Sequence, residues 1–198
     1  MRRTMFLMLL LAAWVVGAFA QTGELSVSAG KSSFRNNTVA SFTDSTTGQT
    51  ATATVDSNFR LGFRFTINSW RFFGHEIGYA YNHGSLKEGS TSLGLPVHQG
   101  MYNFLAYATP EGTHIRPFVT GGVHFSTFFP PGSSVFSGNG FTKFGINYGG
   151  GVKVRLSSLL MGRVDIRDYL TGKPDFFQVN PGGKLHQLEI SAGLGVAF

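Results

Sequence analysis

The chain has 198 residues, with 16 Lys+Arg against 10 Asp+Glu, 27 Gly, 20 Phe and no Cys. Charged residues make up 13% and aromatic residues 14%, whereas an ordinary soluble domain carries roughly 25% charged residues, so a typical cytosolic enzyme is excluded. The absence of cysteine excludes a disulfide scaffold, a thiolate metal site, thiol catalysis and a lipid anchor on an N-terminal cysteine.

Arg2 and Arg3 precede an apolar run from Met5 to Ala20, and Ala18-Phe19-Ala20 ahead of Gln21 places small residues where a signal peptidase reads them. Residues 1–20 are therefore expected to be a cleavable secretory signal, with the folded domain at 21–198. The run is short and lacks the basic stop-transfer flank of an anchor helix. Both arginines lie in it, so its removal lowers the formal charge from +6 to +4. So small an excess gives no ground for a nucleic-acid partner.

Beyond Gln21 no stretch approaches the 18 or more apolar residues of a membrane helix, and strict alternation recurs instead. Phe59, Leu61, Phe63, Phe65 and Ile67 share one face of a strand whose other face carries Arg60, Gly62, Arg64 and Thr66. Leu188, Ile190, Ala192, Leu194, Val196 and Phe198 repeat the pattern at the end of the chain. Eight strands are predicted, at 24–34, 59–68, 71–82, 98–108, 115–127, 142–156, 159–170 and 186–198. Each is near or above the length of about 9 to 11 residues that a tilted transmembrane strand needs. Their connections alternate: a long Ser/Thr-rich segment from Asn36 to Ser57, a short turn at Ser69-Trp70, a longer loop from His83 to Val97, a turn over 109–114, a loop around Pro130, a turn at Ser157-Ser158, and a loop from Thr171 to Lys184. Short periplasmic turns and longer extracellular loops are the habit of outer-membrane barrels.

The signal, the eight alternating strands, the loop alternation and a terminal Phe198 preceded by apolar residues at every second position resemble the small OmpA/OmpX/OmpW-type outer-membrane β-barrels. The run from Phe144 to Lys153, followed by Arg163 to Tyr169, resembles the paired late strands of that group. The resemblance implies an all-β, closed, antiparallel eight-stranded barrel in the outer membrane of a double-membraned bacterium, without the peptidoglycan-binding domain that follows many such barrels. It implies that Leu194, Val196 and Phe198 are read by the barrel-assembly machinery, and that the partners are outer-membrane lipid and lipopolysaccharide. The expected role is that of a monomeric, non-enzymatic envelope protein acting through its extracellular loops, with a narrow channel or transporter for small solutes, apolar ones among them, as the alternative. No cofactor is expected.

If the apolar face of each strand meets lipid, the inward set holds Glu24, Arg60, Arg64, Glu76, Arg116, His124, Lys153, Arg155, Arg163, Asp165, Arg167 and Glu189, with seven cations and four anions. The fourth predicted strand is ambiguous, since only Asn103 favours placing its odd-numbered residues inside. A lumen of eight strands is just wide enough for side chains to fill, so these charges are expected to pair. Hairpin arithmetic sets Arg64 opposite Glu76, and Arg167 level with Glu189, with Asp165 close by. An interlocked plug is the expected outcome and an anion-favouring pore the rival.

Gly149-Gly150-Gly151 is read as relief of crowding, because no helix follows to make a phosphate loop. His83, His98 and His186 fall at the outer rim without carboxylates at ligand spacing. His124-Phe125-Ser126 faintly resembles the lipid A deacylases, small barrels with a Ser, a His and an acid on the outer wall. Thr127 departs from their His-x-Ser-Asn run, however, and the His124 face is inward.

Overall fold

The computed structural model describes residues 22–43, 45–46, 48–133, 140–175 and 182–198; the expected signal at 1–20 lies outside them. Nine strands form one antiparallel sheet: β1 (Thr22–Arg35), β2 (Thr38–Thr43), β3 (Thr50–Trp70), β4 (Phe73–Glu88), β5 (Thr91–Tyr107), β6 (Ile115–Phe128), β7 (Phe141–Arg155), β8 (Leu160–Gly172) and β9 (Lys184–Ala197). Each strand from β3 to β9 pairs with the next, and β1 pairs with both β9 and β3, so the sheet closes into a barrel of eight staves with β2 as an added ninth strand. Closure satisfies the backbone of every stave and leaves none of them a free edge. At the seam, Gly23 and Phe198 exchange two backbone hydrogen bonds of 2.9 Å.

Alternation assigns the two surfaces as the sequence predicts. Leu25, Val27, Phe59, Phe63, Phe65, Val164, Ile166, Ile190 and Leu194 are exposed on the outer wall, while Arg60, Arg64, Thr66, Asp165, Arg167 and Glu189 are buried inside. On β5, Tyr102 and Phe104 face out and Met101, Asn103, Leu105 and Tyr107 face in, which resolves the ambiguous strand in the direction Asn103 indicates.

Two expected loops are corrected. Most of the segment from Asn36 to Ser57 is strand: β1 ends at Arg35, Asn36 takes φ 53°, and β2 then pairs with the first part of β3 from Thr38↔Thr54 to Thr43↔Thr50. Asparagine tolerates this left-handed turn better than most residues, and its side-chain amide donates to the Lys184 carbonyl at 2.9 Å. The loop expected from His83 to Val97 is also strand, with β4 and β5 paired up to Glu88↔Thr91 and Gly89 at φ 55° making the reversal. What holds these extensions together is an apolar cluster inside the barrel's long-loop end: Phe34, Val39, Ala40, Ala53, Val55, Leu95, Val97, Phe128 and Leu185. The opposite end carries the expected short turns; at one of them Ser157 Oγ accepts from the backbone N–H of Leu159 and Leu160.

The glycines of β7 make room as expected. A side chain at Gly151 would meet the Phe118 ring at 2.7 Å and the Val164 carbonyl at 2.2 Å, and one at Gly149 would meet the Ile166 carbonyl at 2.2 Å.

Candidate functional site

The interior is built in layers. In the middle, four arginines and three carboxylates interlock without solvent contact: Arg60, Arg64, Arg163 and Arg167 with Glu76, Asp165 and Glu189. Asp165 takes both Arg163, at 2.8 Å to Nε, and Arg167, at 2.8 Å to Nη2. Glu76 takes Arg163 at 3.0 Å and Arg167 at 2.9 Å. Glu189 takes Arg64 at 2.6 Å and Arg60 at 3.1 Å, and accepts from Tyr169 Oη at 2.8 Å and Ser191 Oγ at 2.6 Å. Hydroxyls of Ser28 and Ser26 accept from Arg64 and Arg163. Burying so many ions is tolerable only because each is met by opposite charge; Arg60 Nε, Arg64 Nε and Arg167 Nη1 have that ionic neighbour but no hydrogen bond of their own.

Above this layer lies a belt of amides. Gln99 Nε2 donates to Gln187 Oε1 at 2.7 Å and to Ser126 Oγ at 2.9 Å, and Gln187 Nε2 donates to Asn82 Oδ1 at 2.9 Å. Arg60 joins the belts by donating to Asn82, Gln99 and the Tyr169 hydroxyl. Below, toward the short turns, Lys153 pairs with Glu24 and donates to Tyr107 Oη at 2.8 Å, and the Arg116 guanidinium stacks on the Tyr107 ring at 3.7 Å. From one end to the other the lumen thus holds an apolar cluster, amides, an ion network and a second ion pair.

Seven of the eight residues expected in the lumen network are buried inside the barrel, six in the central layer and Lys153 in the ion pair below it. Arg155 is not. It has inward parity, but it is the last residue of β7 and is exposed at the short-turn mouth, where its backbone N–H bonds the His114 carbonyl at 2.8 Å. The pairing is also revised. Arg64 lies 3.8 Å from Glu76 but only 2.6 Å from Glu189. Arg167 is level with Glu189 in register, yet its ion pairs are with Glu76 and Asp165. Arg60, Glu24, Gln99 and Tyr169 complete the layers; for Tyr169 the signal was its parity with Asp165 and Arg167, and for Gln99 only its parity with Asn103 on the ambiguous strand.

Leu194, Val196 and Phe198 face outward, 58%, 43% and 70% exposed. His124 and Ser126 are buried and face inward, with His124 Nε2 2.7 Å from Thr171 Oγ1 and Ser126 Oγ accepting from Gln99 Nε2, whereas the deacylase resemblance would need both exposed on the outer wall. The three rim histidines sit apart: His83 is exposed on β4, His98 contacts Tyr79 on the outer wall, and His186 lies on β9 beside Asp168.

On the outer wall a groove of about 440 Å³ runs between Ile77, Tyr102, Val123, Phe125 and Phe144, and its floor is formed by the inward-facing Met101 and His124. Gly78, Gly100 and Gly145 also line it, their lack of side chains leaving the wall thin there.

Comparison with known proteins agrees with this architecture. The family model described as outer membrane protein beta-barrel domain matches residues 6–198. No curated protein matches the chain. Among solved structures it is similar to the outer membrane protein OprG of Pseudomonas aeruginosa, with a TM-score of 0.62 and 16% identity over 90% of this chain and 95% of that one. It is similar to Neisserial surface protein A, with a TM-score of 0.57 and 13% identity over 90% and 97%. It is also similar to Ail, the attachment invasion locus protein of Yersinia pestis, with a TM-score of 0.52 and 12% identity over 90% and 99%.

Proposed function

Because the chain belongs to the family of outer membrane protein beta-barrel domains and resides in the outer membrane of a double-membraned bacterium, we propose that it is a non-conducting, non-enzymatic envelope barrel. Its rigid wall presents the outer hairpins to the cell's surroundings. The observation that carries this reading is the layered filling of the lumen: the ion network has Arg60, Arg64, Arg167, Glu76, Asp165 and Glu189 all at 2% exposure or less, and an apolar cluster sits over it at the extracellular end. A water path would have to break several charge-assisted bonds at once. Closure of the sheet supports a monomer, since no stave offers an unpaired edge to a second copy. The outward Leu194, Val196 and Phe198 are offered to the barrel-assembly machinery before β9 meets β1.

Swelling of vesicles that hold the folded protein tests this reading. Vesicles loaded with a large polymer and diluted into an isotonic small sugar should swell no faster than empty ones; fast swelling would overturn the proposal.

A second reading rests on the outer groove. Its apolar rim and a floor made of lumen residues suit a route by which a small apolar solute leaves sideways into the bilayer. Gly100→Leu, which drives into the Phe125 ring, should abolish protein-dependent uptake of an apolar dye if that route operates.

A further inference from the structure

On one side of the outer wall, at the extracellular edge, the apolar face gives way to a cluster of cations. On β1 the outward residues run Leu25, Val27, Ala29 and then Lys31, Ser33 and Arg35; on β9 they run upward through Leu194, Ala192, Ile190 and Leu188 to His186 and Lys184. Lys31, Arg35 and Lys184 are all exposed. The register makes Arg35 the direct partner of His186, with Lys184 its diagonal neighbour, and places Lys31 between Ile190 and Phe59.

The charges here do not cancel. The acid on this side, Asp168, is held by Tyr148 Oη and His186 Nδ1, each at 3.2 Å. Among the described residues no carboxylate lies within ion-pairing distance of Lys31, Arg35 or Lys184. By contrast Lys87, on the outer hairpin of β4, is paired with Asp56 at 2.9 Å. The corresponding outer edge of β4 and β5 carries Tyr79, Tyr81 and His98, not cations.

Height decides what these cations meet. Eight residues at about 3.3 Å each, tilted by about 40°, set Lys31 roughly 20 Å above Gly23, near the top of an apolar band about 25 Å tall. A lysine there keeps its stem against hydrocarbon and its ammonium at the headgroups. Arg35 and Lys184 lie one step further out, at the level of the headgroups themselves.

We propose that the β9–β1 wall is a docking site for a phosphorylated lipid of the outer leaflet. The phosphates of lipid A are held between Lys31, Arg35 and Lys184, and its acyl chains lie down the strip of Leu188, Ile190, Ala192, Leu194 and Val27. The guanidinium of Arg35 gives a two-pronged donor for phosphate oxygens, and the two ammonium groups add point charge. The site depends on the outer-membrane location and not on whether the lumen conducts or the hairpins bind a partner.

The test is a titration of the folded, full-length barrel in detergent with bisphosphorylated lipid A, followed by counting bound lipid by native mass spectrometry. A cation near an anionic lipid surface contributes roughly fivefold, so Lys31→Gln, Arg35→Gln and Lys184→Gln together should weaken binding on the order of a hundredfold. Lys87→Gln should leave it unchanged. Dephosphorylated lipid A should bind the wild type no better than the triple variant does, and inorganic phosphate at equal concentration should not compete, which separates a lipid site from a bare anion site. Heat-modifiable migration in gels establishes that the variants are folded; if the triple variant is not, Arg35→Gln alone should give the fivefold loss. Equal retention of lipid A by folded wild type and variant, equal retention of the dephosphorylated lipid, or full displacement by inorganic phosphate would overturn the proposal.

Discussion

Glu189 accepts four side chains, two of them arginines, and none of the four is replaceable by water at 0% exposure. Glu189→Gln removes the charge and leaves Arg60 and Arg64 with one buried anion fewer. Breaking a buried pair costs about 3 to 5 kcal/mol, against about 0 to 1 for an exposed one. The urea midpoint of unfolding in lipid vesicles should therefore fall far more for Glu189→Gln than for Lys87→Gln, whose pair with Asp56 is partly exposed; equal, small shifts would mean that Glu189 is hydrated. Register alone recommends Arg167→Glu with Glu189→Arg as a compensating swap. The side chains say otherwise: a carboxylate at 167 would face Glu76 and Asp165, which now bind Arg167. The double variant should be no more stable than Glu189→Gln, and recovery toward wild type would contradict the assigned pairing. Strand register supplies depth, but a long guanidinium crosses the lumen, and that reach is why Arg64 finds Glu189 two strands away around the wall.

Among the strands, alternation is readable wherever the two faces differ strongly in polarity, as from Phe59 to Ile67. It fails from Thr50 to Val55, where threonine alternates with alanine and valine and the contrast is weak. The pairing of β3 with β4 also shifts between Ser57 and Phe59, so the inward set changes from odd-numbered Ala53 and Val55 to even-numbered Arg60 and Arg64. A bulge of this kind moves every later side chain to the other face, and no single window of sequence shows both halves in phase. The β7 glycines are the opposite case, because their purpose was legible and their geometry confirms it. Gly151→Val should block closure against Phe118 and Val164 and abolish the heat-modifiable folded band after refolding. Gly121→Ala meets only the Asn147 carbonyl at 3.9 Å and should refold normally. A folded Gly151→Val protein would show that the β7–β8 wall is looser than described.

For the whole molecule, the eight staves and their two faces were legible in the period of two, in loop lengths and in the cost of about 2 to 4 kcal/mol for a lysine or arginine in the lipid midplane, and closure in the resemblance to small outer-membrane barrels; the added strand β2 was not legible. The layering of the lumen did not follow, because the apolar cluster at its outer end is assembled from segments that look like polar loops. That cluster predicts its own test: Leu95→Asp, at a position with 0% exposure, should free the hairpins of β2 to β5 and open new protease sites there while the membrane-embedded part keeps its heat-modifiable band. If the hairpins stay resistant, something other than the apolar cluster holds them.

The central claim is that the lumen is filled, and ionic conductance across a planar bilayer probes it most directly. The wild-type barrel, inserted from detergent, should remain silent at all applied voltages, and Glu189→Gln should at most produce brief, irregular openings as the stranded arginines rearrange. Steady openings in the wild type that disappear when Arg60, Arg64, Arg163 and Arg167 are neutralised would contradict the account and make the protein an anion-favouring channel.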